Sequence, residues 1–105
     1  MIKNLTPHSV TILADDRTVV IPPSGIVARV TANVEHLGRL DGVPVTHTSY
    51  TDIKDLPEPE DNVLYITSCL VAQACPERKD VLFPNELVRD ETKRVIGCRS
   101  LARIV

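Results

Sequence analysis

Short runs of alternating, β-branched apolar residues, cut at close intervals by proline or turn residues, constrain this chain more than any other feature. In "SVTIL" (9–13) Val10 and Ile12 alternate with polar or smaller neighbours, the period of two of a half-buried strand. "ADDR" (14–17) supplies turn residues and "TVVIP" (18–22) returns as a second strand, although the turn lacks an Asn-Gly or Asp-Gly pair. "PPSG" (22–25) then interrupts pairing, because consecutive prolines have no amide to donate to a ladder. Ile26, Ala28, Val30, Ala32 and Val34 share one face of a longer strand, with Arg29, Thr31 and Asn33 on the other. Asp41-Gly42 is a good hairpin turn, so 26–36 is expected to pair with 43–49.

The second half continues the pattern. "LPEPEDN" (56–62) reads as a stiff, extended acidic loop, since each proline restricts the residue before it. "VLYIT" (63–67) suits a central strand, and "DVLFP" (80–84) an edge strand closed by Pro84. The tail holds a last hairpin, "LVR" and "RVIGC" around "DETK". One interval departs from this period. In "TSCLVAQACP" (67–76) Thr67 or Ser68 can cap a short helix that Pro76 stops, with Leu70, Ala74 and Val71 turned to the core. The expectation is a mainly β, β-rich α+β fold: a compact antiparallel sandwich or barrel-like domain of hairpins with one short helix near 68–75.

Length and composition bound the function. A chain of 105 residues forms a single domain, 1–105, with a modest core. Its 43% apolar content argues against disorder. Phe83, Tyr50 and Tyr65 are the only aromatics, too few for the stacking platforms of single-stranded nucleic-acid binders. Twelve basic against fourteen acidic residues leave a net charge of -2, so generic nucleic-acid binding is not expected. The charge is uneven: 52–61 is acidic, and Arg89 to Arg103 is basic. These segments are either two solvated surfaces or complementary patches used in self-association. Three cysteines, none in a C-x-x-C pair, suggest reduced thiols in a cytosol, packed as small hydrophobes. The start lacks the apolar stretch of a signal peptide, and no run has membrane-spanning length. A soluble, cytoplasmic protein is expected.

Taken together and in order, "NLTPHSVTIL", "PPSGIVARV", "LPEPEDNVLYITSCLVAQACPERKDVL" and "LVRDETKRVIGCRSL" resemble a group of small proteins found in phages, prophages and some bacteria. The motifs are Asn4 to His8, Tyr65 to Ser68, and Pro76 to Asp80, and the resemblance covers nearly the whole chain. Such proteins tend to carry glycine at the last hairpin turn, where this chain has Lys93. The resemblance implies a phage accessory protein acting on host defence or host enzymes, in the host cytoplasm.

Candidate chemistry centres on the helix start. Ser68, beside amides left open in the first turn, marks a place for an anionic group, and Arg78 offers a bidentate cation just past Pro76. The alternative is that Ser68 only caps the helix while Arg78 and Asp80 form a local pair. His8, at the entry to a strand, either contacts a ligand or ties the strand end to a loop. Arg89, which opens the basic tail, completes the candidate set of His8, Ser68, Arg78, Asp80 and Arg89.

Other chemistry has weaker support. His36 and His47 could face each other across a hairpin near Cys69 or Cys98, but no pair has zinc spacing, so no metal is expected. Neither nucleotide loop motif occurs, nor a G-x-S-x-G elbow, and Cys75 lies at a helix end that disfavours a thiolate. The pairs Glu58 with Glu60 and Asp90 with Glu91 sit in solvated loops. The leading expectation is a non-enzymatic, cofactor-free, homo-oligomeric protein that captures a small anionic ligand, such as a nucleotide-derived signal. A module engaging a host protein through a strand edge or the basic tail is the alternative, and a small hydrolase comes third.

Overall fold

The computed structural model describes residues 1–105 and consists mostly of strand, with one short helix. Six strands form a barrel-like sheet: β1 (Ile2–Asn4), β2 (Val10–Leu13), β3 (Thr18–Ile21), β6 (Leu64–Ile66), β7 (Val81–Arg89) and β8 (Val95–Ala102). Two more, β4 (Arg29–Leu40) and β5 (Val43–Lys54), pair only with each other. The helix α1 (Cys69–Ala74) follows β6 directly.

The large sheet runs β1-β6-β7-β8-β2-β3. The hairpin expected at 9–22 is present, with Val10 opposite Ile21 and Leu13 opposite Thr18. A bridge between Asn4 and Pro23, with the Ser24 amide donating to the Asn4 carbonyl at 2.9 Å, draws the two outer strands together. The barrel is thus nearly closed, which leaves little free edge. Besides its antiparallel hairpins the sheet contains parallel pairs: β1 with β6, β6 with β7, and β2 with β8. The β6–β7 pair is made by the crossover through α1, whereas β1 with β6 and β2 with β8 bring together strands remote in sequence.

"DVLFP" and "LVR" belong to one strand, β7, rather than to an edge strand and a separate hairpin arm. Its first residues pair with β6, and Phe83 onward pairs with β8. Leu82 offers its carbonyl to the Thr67 amide on β6. By alternation Pro84 faces the same side, beyond the end of β6, where no ladder amide is required.

The core is small and aliphatic. Leu5, Ala28, Tyr65 and Val71 form one cluster, and Val10, Ile66 and Cys98 a second. Ala72, Cys75 and Val81 form a third under the helix. The helix therefore buries Val71 and Ala72, followed by Cys75 at its C-terminal cap, whereas Leu70, expected in the core, is 42% exposed. Ser68 fixes this phase by capping the helix with extended backbone, so that Val71 rather than Leu70 points inward. No helix is long and apolar enough to cross a membrane.

The β4–β5 hairpin is longer than expected and stands apart. Asp41 (φ 52°) and Gly42 (φ 79°) form its turn, matching the left-handed pair that suits a two-residue hairpin. Its strands are about 40 Å long at the usual rise per residue, and nearly every residue along them is exposed. Alternation predicts an apolar face on 26–34, but a face is buried only if another layer covers it, and beyond the base none does. The radius of gyration, 16.3 Å, exceeds the roughly 13 Å typical of compact chains of this length.

Candidate functional site

Three segments meet at the base of this arm: the loop after β1, the entry into β4, and the start of α1. Each is held in place by chemistry visible in the sequence. The Asn4 side chain is buried and acts as a brace. Its Nδ2 donates to the carbonyls of His8 (2.8 Å) and Ile21 (3.0 Å), and its Oδ1 accepts from the Thr6 amide (2.9 Å) and hydroxyl (2.6 Å). This accounts for the Asn-Leu-Thr-Pro-His segment as a folded turn pinned to the end of β3. Leu5 anchors it from beneath, and its carbonyl accepts the Ala28 amide (3.0 Å), which aligns the entry to β4. At the helix, Ser68 Oγ accepts from the Val71 amide at 3.3 Å.

Between these segments lies a cavity of about 260 Å³, lined from Leu5–Pro7, from Val27–Val30, and by Ser68, Leu70 and Val71. Its walls are largely apolar, with polar groups from Thr6, Ser68 and Arg29. Arg29 forms no ion pair; the chain has one salt bridge, elsewhere. Its cross-strand partner is Lys54, so two cations stand opposite each other at the arm's base. Like charges in that relation repel, and an anion placed beside them relieves the repulsion.

Of the five candidate residues, Ser68 alone lines this cavity. The His8 side chain is absent from its walls, while the His8 carbonyl ties the loop to Asn4, which is the strand-end role. Arg78 is held by Asp80 and the acidic loop: Nε and one terminal nitrogen reach the two Asp80 oxygens, each at 2.8 Å, and the same nitrogen donates to the Pro57 carbonyl at 3.0 Å. The hydrogen bond from Arg78 holds the Asp80 carboxyl below the usual range and in turn pushes the guanidinium up. This pair clamps the acidic loop, assisted by the Tyr65 hydroxyl donating to the Glu58 carbonyl at 3.2 Å. Arg89 donates to the Lys93 carbonyl at 3.0 Å and belongs to the last turn. His8, Arg78, Asp80 and Arg89 are thus not among the residues lining the cavity that Ser68 lines. Arg29 is the cation sequence reasoning passed over. Its only signal was a basic residue flanked by apolar ones in "IVARV", which alternation assigns to a plain outer face.

The remaining groups are accounted for by packing. Cys75 and Cys98 are buried and Cys69 is exposed; burial pushes the Cys75 and Cys98 thiols up. His36 lies opposite Thr46 and His47 opposite Glu35, so the two imidazoles are on opposite faces of the hairpin rather than facing each other. Comparisons with protein-family models, characterised proteins and solved structures return no match.

Proposed function

We propose that the chain is a non-enzymatic accessory protein of phage type that holds a small anionic, nucleotide-derived ligand in the cavity at the base of the β4–β5 arm. One observation carries this reading: Arg29, which has no carboxylate partner, is among the residues lining an apolar-walled cavity assembled from three separate segments. Arg29 supplies a two-pronged grip for phosphate or carboxylate. The Ser68 hydroxyl, whose oxygen accepts from the Val71 amide, keeps its proton to donate, and Leu5, Pro7, Val27 and Leu70 suit the flat face of a base or sugar. The cation differs from the Arg78 expected from sequence, while the ligand class and Ser68 remain. No histidine or carboxylate lines the cavity, so Ser68 has no base beside it, which favours capture over hydrolysis.

The test is thermal unfolding with a panel of nucleotides and cyclic nucleotides. A ligand at 100 times its Kd stabilises the folded state by about 2.7 kcal/mol. The shift is expected to vanish in Arg29→Ala and to persist in Arg78→Ala, even though the latter starts less stable. A shift retained in Arg29→Ala, or no shift with any anion, would overturn the reading. The second reading, a protein-binding module, is favoured by a different observation, the uncovered strand edges of the arm.

A further inference from the structure

The outer edge of β5 is unpaired along its length, since β4 is its only neighbour. Such an edge exposes a row of amide donors and carbonyl acceptors, and folded proteins usually blunt it with charge, proline or a bulge. The other arm strand is blunted in this way: β4 carries Arg29, Glu35 and Arg39 and is irregular between His36 and Gly38. β5 is not. From Val43 to Thr51 it contains no Lys, Arg, Asp or Glu, and it is rich in Val, Thr and Tyr, which favour strands. Pro44, near the tip, is its only interruption. The stretch is bounded by the turn at Gly42 and by Asp52, whose φ of 57° ends the regular backbone.

We infer that this edge pairs with itself: two copies of the chain join β5 to β5, antiparallel, about a twofold axis through His47, to make a four-stranded sheet. The middle of the uncharged stretch 43–51 is His47, and antiparallel pairing about it is self-matching. Thr46 then lies opposite Thr48 of the second copy, Val45 opposite Ser49, Pro44 opposite Tyr50, and Val43 opposite Thr51. His47 lies opposite its own copy, the Thr46–Thr48 pair flanking it on each side is a favourable one, and no Lys, Arg, Asp or Glu takes part. Opposite residues share parity in this register, so each pair shares a face of the merged sheet. Moving the axis toward the base, to Thr48, brings Asp52 and its left-handed backbone into the ladder. Moving it toward the tip shortens the paired run. A lone two-stranded hairpin is marginally stable in water, and four strands remove that weakness. The contact is isologous, as closed dimers require, and it leaves the cavity at the arm's base outside the paired stretch.

Sedimentation equilibrium of the full chain is expected to give twice the 11.6 kDa chain mass at micromolar concentration. In a Cys69→Ser background, His47→Cys is expected to form an intermolecular disulfide on mild oxidation. Residues directly opposite in an antiparallel pair have Cα atoms about 4.5–5.5 Å apart, within disulfide reach. Ser49→Cys, opposite Val45, is expected not to cross-link. The double variant Thr46→Lys/Thr48→Lys places like charges opposite each other twice and is expected to be monomeric. Thr46→Lys/Thr48→Glu places opposite charges there and is expected to restore the dimer, which separates the register from any general damage to the strand. A monomer at every concentration overturns the inference, whether or not another protein occupies the edge. So does a dimer that survives the double lysine variant, or equal cross-linking of the two cysteine variants.

Discussion

Replacing Asn4 by aspartate changes one atom's character and tests how the cavity is built. Asn4 is 1% exposed, and its Nδ2 donates to two carbonyls, of His8 at 2.8 Å and Ile21 at 3.0 Å. Aspartate keeps the shape and still accepts from the Thr6 amide, but it turns that nitrogen into an oxygen facing two carbonyl oxygens. The His8 carbonyl keeps the Thr6 hydroxyl at 3.0 Å, so the Ile21 carbonyl is the acceptor left facing an oxygen; a stranded, partly buried acceptor costs about 1–3 kcal/mol, and the expected loss at pH 7 is of that size. For a chain near this size each kcal/mol moves the midpoint by about 4–8 °C, which predicts a drop of roughly 4–24 °C by circular dichroism. Burial raises the pKa of the introduced carboxyl. Once protonated, it can donate to one of the two carbonyls, so the defect should shrink as pH is lowered from 7 to 5. Unfolding within about 2 °C of the parent at pH 7 would refute the bracing role of Asn4.

Gly97→Ala should be destabilising by about 1–3 kcal/mol, since a Cβ there would lie 2.9 Å from the Thr11 carbonyl oxygen at the contact of β8 with β2; urea midpoints measure this. Asp80→Asn should flatten the acid limb of the stability profile. The Arg78 hydrogen bond lowers the folded-state pKa of Asp80, so its stabilisation is present above the ordinary carboxylate value and is lost as pH falls below it. Urea unfolding at pH 7 and pH 3 should therefore show a larger difference between parent and variant at pH 7. Lys93→Gly should stabilise by about 0.5–1 kcal/mol, because Lys93 holds φ at 68° in the last hairpin turn; thermal unfolding reads this, and a loss of stability would contradict it.

Local rules carried much of the fold. The strand period, the Asp41-Gly42 turn and the Ser68 cap each depend on neighbours in sequence, and each appears where the residues place it. Lys93 holds a left-handed backbone in the last hairpin turn, a conformation that glycine adopts at less cost. What alternation could not reveal was whether a second layer exists. Ile26 and Val34 lie on the face that alternation made apolar and are nonetheless exposed, because burial is set by tertiary partners. The same gap hid the site. Arg78 looked available until Asp80 and Pro57 claimed its donors, and Arg29 looked ordinary until the Leu5–Pro7 loop came alongside it. Those juxtapositions are long-range, and no spacing along the chain encodes them.

An amide-resolved NMR titration of the labelled chain with the nucleotides that raise its unfolding temperature tests the site most directly. The account predicts saturable shifts at Thr6, Arg29, Ser68 and Leu70, with Arg78, Arg89 and the β5 edge unmoved. Shifts centred on Arg78 or Arg89, with the arm's base silent, would contradict it.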